Sequence, residues 1–423
     1  MSQIKPFKSI CYDPQKVDNI AQVFCPPYDV ISSQEQMRLH SAHPYNYIRI
    51  LLGLDKSNDD RYENKYVRAK KTFEEWLKKG ILKADDKPAF YFCKQEYVVH
   101  GQKFNRIGFI GLLKLQDKQD SRIFPHENTH TRAKEDRLRL WRNIKSNCSP
   151  IFVCFSDRER RVENIFLNKI CVNPAFVELK DNDHVQHTVW RLDDADLIDE
   201  IKKVINGQHL FIADGHHRYE VALEYRQLRL RKKTRASGQE PFNYVMTYFT
   251  NLDSKDLLIL PIHRVIRKLR GKTTDFINEY FRIDKVKTKE DLLILLKKAG
   301  QNEHAFGMYS AQGIQLLRLK SKLLIDQHIK EGSKEYRHLD ATILKAFVFD
   351  RLGIHSDDIF YSKDVQEAFH MVDYHQAEAC FILNPVRIQQ LKEVALHGER
   401  MPPKTTYFYP KVLSGLTIYR MED

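Results

Sequence analysis

A chain that runs Leu210-Phe211-Ile212-Ala213-Asp214-Gly215-His216-His217-Arg218 and continues through Tyr219, Val221, Ala222 and Tyr225 is committed there to a buried strand, a tight turn and an amphipathic helix. The apolar run is short enough for a strand, and the apolar positions after it repeat at helical spacing. The glycine between them lets the backbone approach a ligand closely. The first turn of the helix offers N–H groups that lack partners inside the helix, at the positive end of its dipole. Such helix ends bind anions. Arg218 adds a planar fork for phosphate or carboxylate, His216 and His217 can exchange protons near neutral pH, and Asp214 suits a hard cation or the orientation of a histidine. A lone Asp-Gly or a single histidine at a turn is ordinary turn chemistry. The whole string between a strand and a helix predicts a phosphate site.

Three further stretches carry chemistry. His126-Glu127-Asn128-Thr129-His130 has the spacing of a zinc-peptidase helix. Pro125 directly before His126 and the polar flanks oppose a continuous buried helix, so no zinc is expected. The same residues read as a loop presenting His126 and Glu127, followed by a helix from about Arg132 with Lys134, Asp136 and Arg137 on its polar face. Two bases and an acid there suit charge neutralisation on a phosphate chain, with a carboxylate left for Mg2+ or proton transfer. A salt-bridged helix face is the plainer reading of those three. Pro26-Pro27 stiffens a loop that aims Tyr28 and Asp29. Near the C-terminus, Gly398 to Lys411 holds three prolines among Arg400, Lys404, Thr405, Thr406, Tyr407 and Lys411. It is either a pocket lining or a strap packed through Tyr407 and Phe408.

Helical and extended patterns alternate along the chain, which predicts an α+β protein with a mixed sheet and helices packed on it. Tyr45 to Leu52 reads as a strand and Asp59 to Lys79 as a helix stopped by Gly80. Ala89 to Val99 and Phe104 to Leu115 alternate as a hairpin across His100-Gly101-Gln102, a scaffold without evident chemistry. A length of 423 residues exceeds one ordinary core. The expected division is a core over 1–265, a peripheral α/β subdomain over 266–370, and a segment over 371–423 that returns to the core.

The formal charge of +13 favours an anionic partner, with nucleotides, phosphorylated metabolites and nucleic acid all eligible. Arg226, Arg229, Arg231, Lys232, Lys233 and Arg235 cluster at the end of the central helix. Cations are favoured there by the dipole, and no interleaved aromatics mark a nucleic-acid face. Seven scattered cysteines without a Cys-x-x-Cys pair read as reduced buried thiols. No apolar run is long enough for a membrane helix and Met-Ser-Gln-Ile-Lys lacks a secretion core, so a cytoplasmic protein is expected. The pattern does not fix an oligomeric state.

Asp214 to Arg218 resembles the signature turn of the ParB/sulfiredoxin-like superfamily, and more closely that of its free-serine kinases, which carry the same Asp-Gly-His-His-Arg string. His216 stands where a sulfiredoxin has its reactive cysteine, which excludes the thiol reaction. Over nearly its full length the chain resembles the domain-of-unknown-function family number ten-fifteen. The matches fall at Pro26 to Ile31, His126-Glu127, Lys134 to Arg137, the central turn and Lys404 to Lys411. The resemblance implies a ParB/sulfiredoxin-like core with large additional elements, and places Tyr28, Asp29 and Thr129 at the pocket.

The resulting expectation is a phosphotransferase that uses ATP or ADP with Mg2+ on a small hydroxyl-bearing or phosphorylated metabolite. The resemblance extends that substrate to serine or phosphoserine. Asp214, His216, His217 and Glu127 are its catalytic candidates, with Asp214 and Glu127 as Mg2+ ligands. Gly215, Arg218, His126, Lys134 and Arg137 would hold the phosphates. Tyr28, Asp29, Thr129, Lys404 and Tyr407 would line the substrate pocket. No Walker-type glycine loop is present, which argues against a P-loop kinase. The alternatives are a ParB-like nucleotide-binding module associated with nucleic acid, which needs a coherent basic face, and a nucleotide sensor without turnover.

Overall fold

Every residue from Tyr244 to Asn251 is buried, the pattern of a strand covered on both faces. In the computed structural model, which describes residues 2–117, 121–127, 131–269 and 274–422, this strand lies inside a nine-stranded mixed sheet. The chain forms two compact units. Unit 1 comprises residues 1–125, 129–257 and 410–423, and unit 2 comprises residues 126–128 and 258–409.

The strands of the unit 1 sheet are β1 (Ile4–Lys5), β2 (Phe90–Val99), β3 (Gln102–Lys114), β4 (Ile123–Pro125), β5 (Ile151–Phe155), β6 (Val177–Lys180), β7 (Gln186–Leu192), β8 (Leu210–Asp214) and β9 (Tyr244–Asn251). Their order is β4-β8-β5-β9-β3-β2-β7-β6, with β1 alongside β3. The β4/β8 and β5/β9 pairs are parallel and the others antiparallel. The β2–β3 hairpin turns at His100 and Gly101, both at positive φ, as a two-residue hairpin loop requires.

The longer helices of unit 1 are α1 (Ser33–Ala42), α2 (Lys65–Lys78), α3 (Thr131–Ile144), α4 (Ala195–Ile205) and α5 (His216–Leu230). Helix α3 packs against both α2 and α5. It does so through Leu138, Leu140, Trp141 and Ile144, and Trp141 meets Tyr225 of α5 edge-on. Each such buried side chain contributes about 1.5–3 kcal/mol.

Unit 2 is built on β11 (His263–Ile266), β12 (Phe281–Val286), β13 (Ala305–Ser310), β14 (Gly313–Leu319), β15 (Ile359–Ser362) and β16 (Ala379–Ile382), after a short β10 (Leu258–Leu260) that pairs with β17 (Tyr407–Tyr409). The six-stranded sheet is antiparallel, in the order β12-β14-β13-β16-β11-β15. Val265 and Cys380 point into one apolar cluster while Ile266 and Phe381 point into another, so the sheet is covered on both faces.

The α+β expectation holds, and local details differ for identifiable reasons. Tyr45 to Leu52 is not a strand. Asn46 Oδ1 accepts from Ile48 N at 2.9 Å and starts a helical turn over Ile48–Leu51. Helix α2 begins at Lys65 rather than Asp59, because Asp60 Oδ1 accepts from Tyr62 N and Glu63 N in a local turn and Asn64 then caps the helix. Unit 2 opens at 258 rather than 266 and holds residues 371–409, since β16 is hydrogen-bonded between β11 and β13. Among the described residues no helix is long and apolar enough to cross a membrane.

Candidate functional site

The strand–turn–helix forms as the residue pattern requires, with β8 ending at Asp214 and α5 starting at His216. Gly215 is the N-cap at φ +84°, a left-handed conformation that costs a residue with a Cβ about 1–2 kcal/mol. It brings no capping side chain. The amides of the first turn have no carbonyl four residues back within the helix, so the turn is a donor-rich, positively polarised surface.

Arg218 lies directly under the glycine. A Cβ on Gly215 would fall 3.0 Å from Arg218 Cζ and Nε. The arginine is 4% exposed. Its Nη1 donates to the Pro150 carbonyl, and its Nη2 lies 3.6 Å from Asp214 Oδ1 and 3.7 Å from Asp29 Oδ2. Its Nε is buried without a hydrogen-bond partner among the described residues. The Tyr28 hydroxyl is buried in the same state, and burial raises its pKa above the ordinary value.

Asp214 is not the open metal ligand that the sequence suggested. Its Oδ1 accepts from Gly215 N at 2.7 Å and its Oδ2 accepts from Lys411 Nζ at 2.7 Å. Burial works against its charge. Lys411 and then Arg218 outweigh that penalty and hold the carboxyl well below the usual carboxylate range. Asp214 is thus an anchored anion that orients the turn. Asp29, on the Tyr28–Val30 turn after the two prolines, is the accessible carboxylate of this cluster.

His216 is buried on the first turn of α5 and His217 is half-buried. Arg137, assigned to phosphate, is instead buried. Its Nη1 donates to the Leu51 carbonyl at 2.6 Å, its Nε donates to Asp136 Oδ2 at 2.8 Å, and its guanidinium stacks on the Tyr28 ring at 4.2 Å. It therefore holds Tyr28 rather than a ligand. Lys134 pairs with Glu220 at 3.0 Å on the neighbouring helix.

His126, Glu127, Lys404 and Tyr407 belong to unit 2. His126 is buried, with Nε2 3.1 Å from Thr406 Oγ1. Glu127 forms a parallel bridge with Met401, and its Oε1 accepts from Lys404 N at 3.3 Å. Tyr407 accepts from Lys363 Nζ at 3.2 Å. Thr129 lies outside the described residues. The arrangement therefore gathers Tyr28, Asp29, Asp214, Gly215, His216, His217 and Arg218 in unit 1, and His126, Glu127 and Lys404 in unit 2.

Lys411 is the partner that pattern reading left among many strap residues, since nothing local links it to Asp214. Among the described residues there is no group of three or more His, Cys, Asp or Glu side chains that could hold a metal ion. The basic end of α5 is partly neutralised. Arg226 pairs with Asp117, Arg229 with Glu422 and Lys233 with Glu240, which breaks up a coherent basic face.

The sequence matches one family model, described as "Protein of unknown function (DUF1015)", over residues 4–342. No curated protein matches it. Among solved structures, similarity extends to "Free serine kinase in complex with AMP", at 14% identity and a TM-score of 0.34, covering 70% of this chain and 89% of that one. It extends also to "SbnI with C-terminal truncation from Staphylococcus aureus", at 12% identity and 0.37, over 72% and 85%. A third is "Conserved hypothetical protein from Pyrococcus furiosus", at 12% identity and 0.34, over 70% and 92%.

Proposed function

The chain belongs to the family of proteins of unknown function DUF1015, and from that premise we propose that unit 1 carries a nucleotide-dependent phosphotransferase site for a small hydroxyl-bearing or phosphorylated metabolite, with serine or phosphoserine as the first substrates to try. One observation carries the reading: a nearly fully buried arginine lies directly beneath the left-handed glycine that opens a helix with no side-chain cap. A phosphate group is the ligand that a helix start and a guanidinium together suit best.

In this reading the first turn of α5 and Arg218 hold the terminal phosphates of ATP or ADP. Lys411 holds Asp214 ionised, and Asp214 fixes the Gly215 amide. The acceptor hydroxyl attacks the terminal phosphorus. Its oxygen–phosphorus bond forms as the bridging bond to the nucleotide breaks, the electron pair leaves with the nucleotide, and the hydroxyl proton passes to Asp29. Such transfer depends on positioning and charge neutralisation. With both oxygens of Asp214 engaged and Asp29 taking the proton, Mg2+ would be held mainly by the phosphate oxygens, as is common for this ion. Mg2+ would supply further neutralisation of the phosphate charge.

The test uses purified full-length protein with Mg2+ and either ATP or ADP, against serine and phosphoserine, with Arg218→Gln and Asp29→Asn alongside. Nucleotide binding by calorimetry with loss of binding in Arg218→Gln and loss of turnover in Asp29→Asn is expected. Absence of any nucleotide binding, or unchanged turnover in both variants, removes the proposal. Binding without turnover on any acceptor assigns the same seat to a sensor.

A further inference from the structure

The β2–β3 hairpin was expected to be scaffold, yet it places a glutamine and an arginine directly opposite each other in its interior. Gln95 and Arg106 are register partners, 2% and 0% exposed. Arg106 Nε donates to Gln95 Oε1 at 3.1 Å and Nη2 donates to the Pro410 carbonyl at 2.5 Å. Gln95 Nε2 donates to the Lys411 carbonyl at 3.1 Å and lies 3.3 Å from His187 Nδ1. His187 Nε2 in turn meets Asp181 Oδ2 at 2.8 Å. The guanidinium rests against the Phe152 and Tyr248 rings, 4.8 and 5.5 Å from their centroids. Phe152 is the β5 residue registered with Asp214.

A buried guanidinium surrounded by aromatic rings is expensive, and apolar residues of similar volume would stabilise a core at least as well. What the Gln95–Arg106 pair does that an apolar pair would not is hold two consecutive carbonyls, those of Pro410 and Lys411. We propose that Gln95 and Arg106 are positioning residues for the phosphate site, fixing the Lys411 backbone so that its ammonium reaches Asp214. The chain of bonds has one polarity. Gln95 turns its carbonyl oxygen to Arg106 and its amide to both Lys411 O and His187, while His187 keeps its proton on the Asp181 side. The consequence for phosphate binding rests on the phosphotransferase reading. The positioning of Lys411 does not.

The test separates the two. In full-length protein labelled with 13C-aspartate, the Asp214 carboxyl resonance is followed from pH 4 to 8, and ADP affinity is measured in parallel, for the wild type, Gln95→Met, Arg106→Met and Arg106→Lys. In the wild type the resonance stays flat, because Lys411 keeps the carboxyl ionised throughout. In the two methionine variants Lys411 no longer offsets burial and Arg218 alone remains beside the carboxyl, so the resonance begins to titrate at the acidic end of that range, a rise of roughly two to three pH units. ADP binding weakens about tenfold with it, and Arg106→Lys, which keeps a donor for Pro410 O, restores part of both. A flat resonance in folded Gln95→Met and Arg106→Met overturns the inference, and so does failure of both to fold, since the pair then serves the core alone. A titrating resonance in a protein that never binds ADP keeps the positioning role and removes the nucleotide reading.

Discussion

Replacing Lys411 by methionine isolates the electrostatic core of the site. The side chains of Lys411 and Asp214 are 13% and 17% exposed, so their pairing at 2.7 Å is mostly desolvated. Removing one member of a buried pair costs about 3–5 kcal/mol. Arg218 Nη2 at 3.6 Å leaves a second cation beside Asp214 and the pair keeps some solvent access, which reduces the expected loss to about 2–3 kcal/mol at pH 7. For a unit of this size that is a drop of roughly 5–10 °C in the unfolding temperature, read by scanning calorimetry. The pH dependence has a defined sign. In the wild type the depressed Asp214 pKa contributes stability that is present above the unfolded value of about 3.9 and is lost as pH falls toward the folded value. In the variant, burial raises the folded pKa, so the penalty is full above it and shrinks as Asp214 protonates. The two proteins should therefore converge in stability on acidification from pH 7 to 4. Asp214→Asn combined with Lys411→Met should show a coupling of about 2 kcal/mol. Additive single losses, or a difference that grows on acidification, would refute the account of the pair.

Other outcomes follow from the same geometry. Gly215→Ala should cost about 1–2 kcal/mol for the left-handed backbone, read by denaturant unfolding, and it should weaken ADP binding strongly, read by calorimetric titration, because the new methyl falls 3.0 Å from Arg218 Cζ. Arg137→Met should destabilise by about 2–3 kcal/mol through the orphaned Leu51 carbonyl, the lost ion pair with Asp136, which keeps only Tyr66 and Lys65, and the lost stacking on Tyr28, as denaturant unfolding would show. Lys134→Met, which removes a half-exposed ion pair with Glu220, should change stability by less than about 1 kcal/mol and leave ADP affinity unaltered. Retention on DNA-cellulose should disappear at moderate salt, because three cations at the end of α5 are paired with carboxylates; salt-resistant retention would favour a nucleic-acid role.

How much was legible depends on the range over which each signal acts. The β8–Gly215–α5 element is encoded by neighbours in sequence, with apolar spacing on both sides and a glycine where the backbone must turn left-handed, so it could be read directly. The β2–β3 hairpin was legible for the same reason. Short polar side chains defeated periodicity elsewhere. Asn46 capped a helical turn where apolar residues suggested a strand, and Asp60 held back the start of α2. The partners of the site were hidden differently. Asp214 finds its counter-ion 197 positions later, and no local pattern carries that pairing. Arg137 looked like a ligand-facing base and is buried, since the face of α3 that turns inward is set by its packing against α2 and α5. Gln95 and Arg106 left a fainter trace, as long polar residues at alternate positions shared with Cys93 and Tyr97 and with Phe104 and Gly108, on the face the hairpin buries.

The 197-residue separation between the carboxylate and its lysine also orders events in time. Everything in unit 2 beyond Leu257 is translated after Asp214 and before Lys411. A nascent chain halted within that interval does not yet contain Lys411, the ammonium that pairs with Asp214 in the finished fold. The turn at Gly215 therefore gains its full charge balance only when the segment after Pro410 emerges and settles against Gln95 and Arg106, so the charge pairing of that turn is completed late in the biogenesis of the molecule.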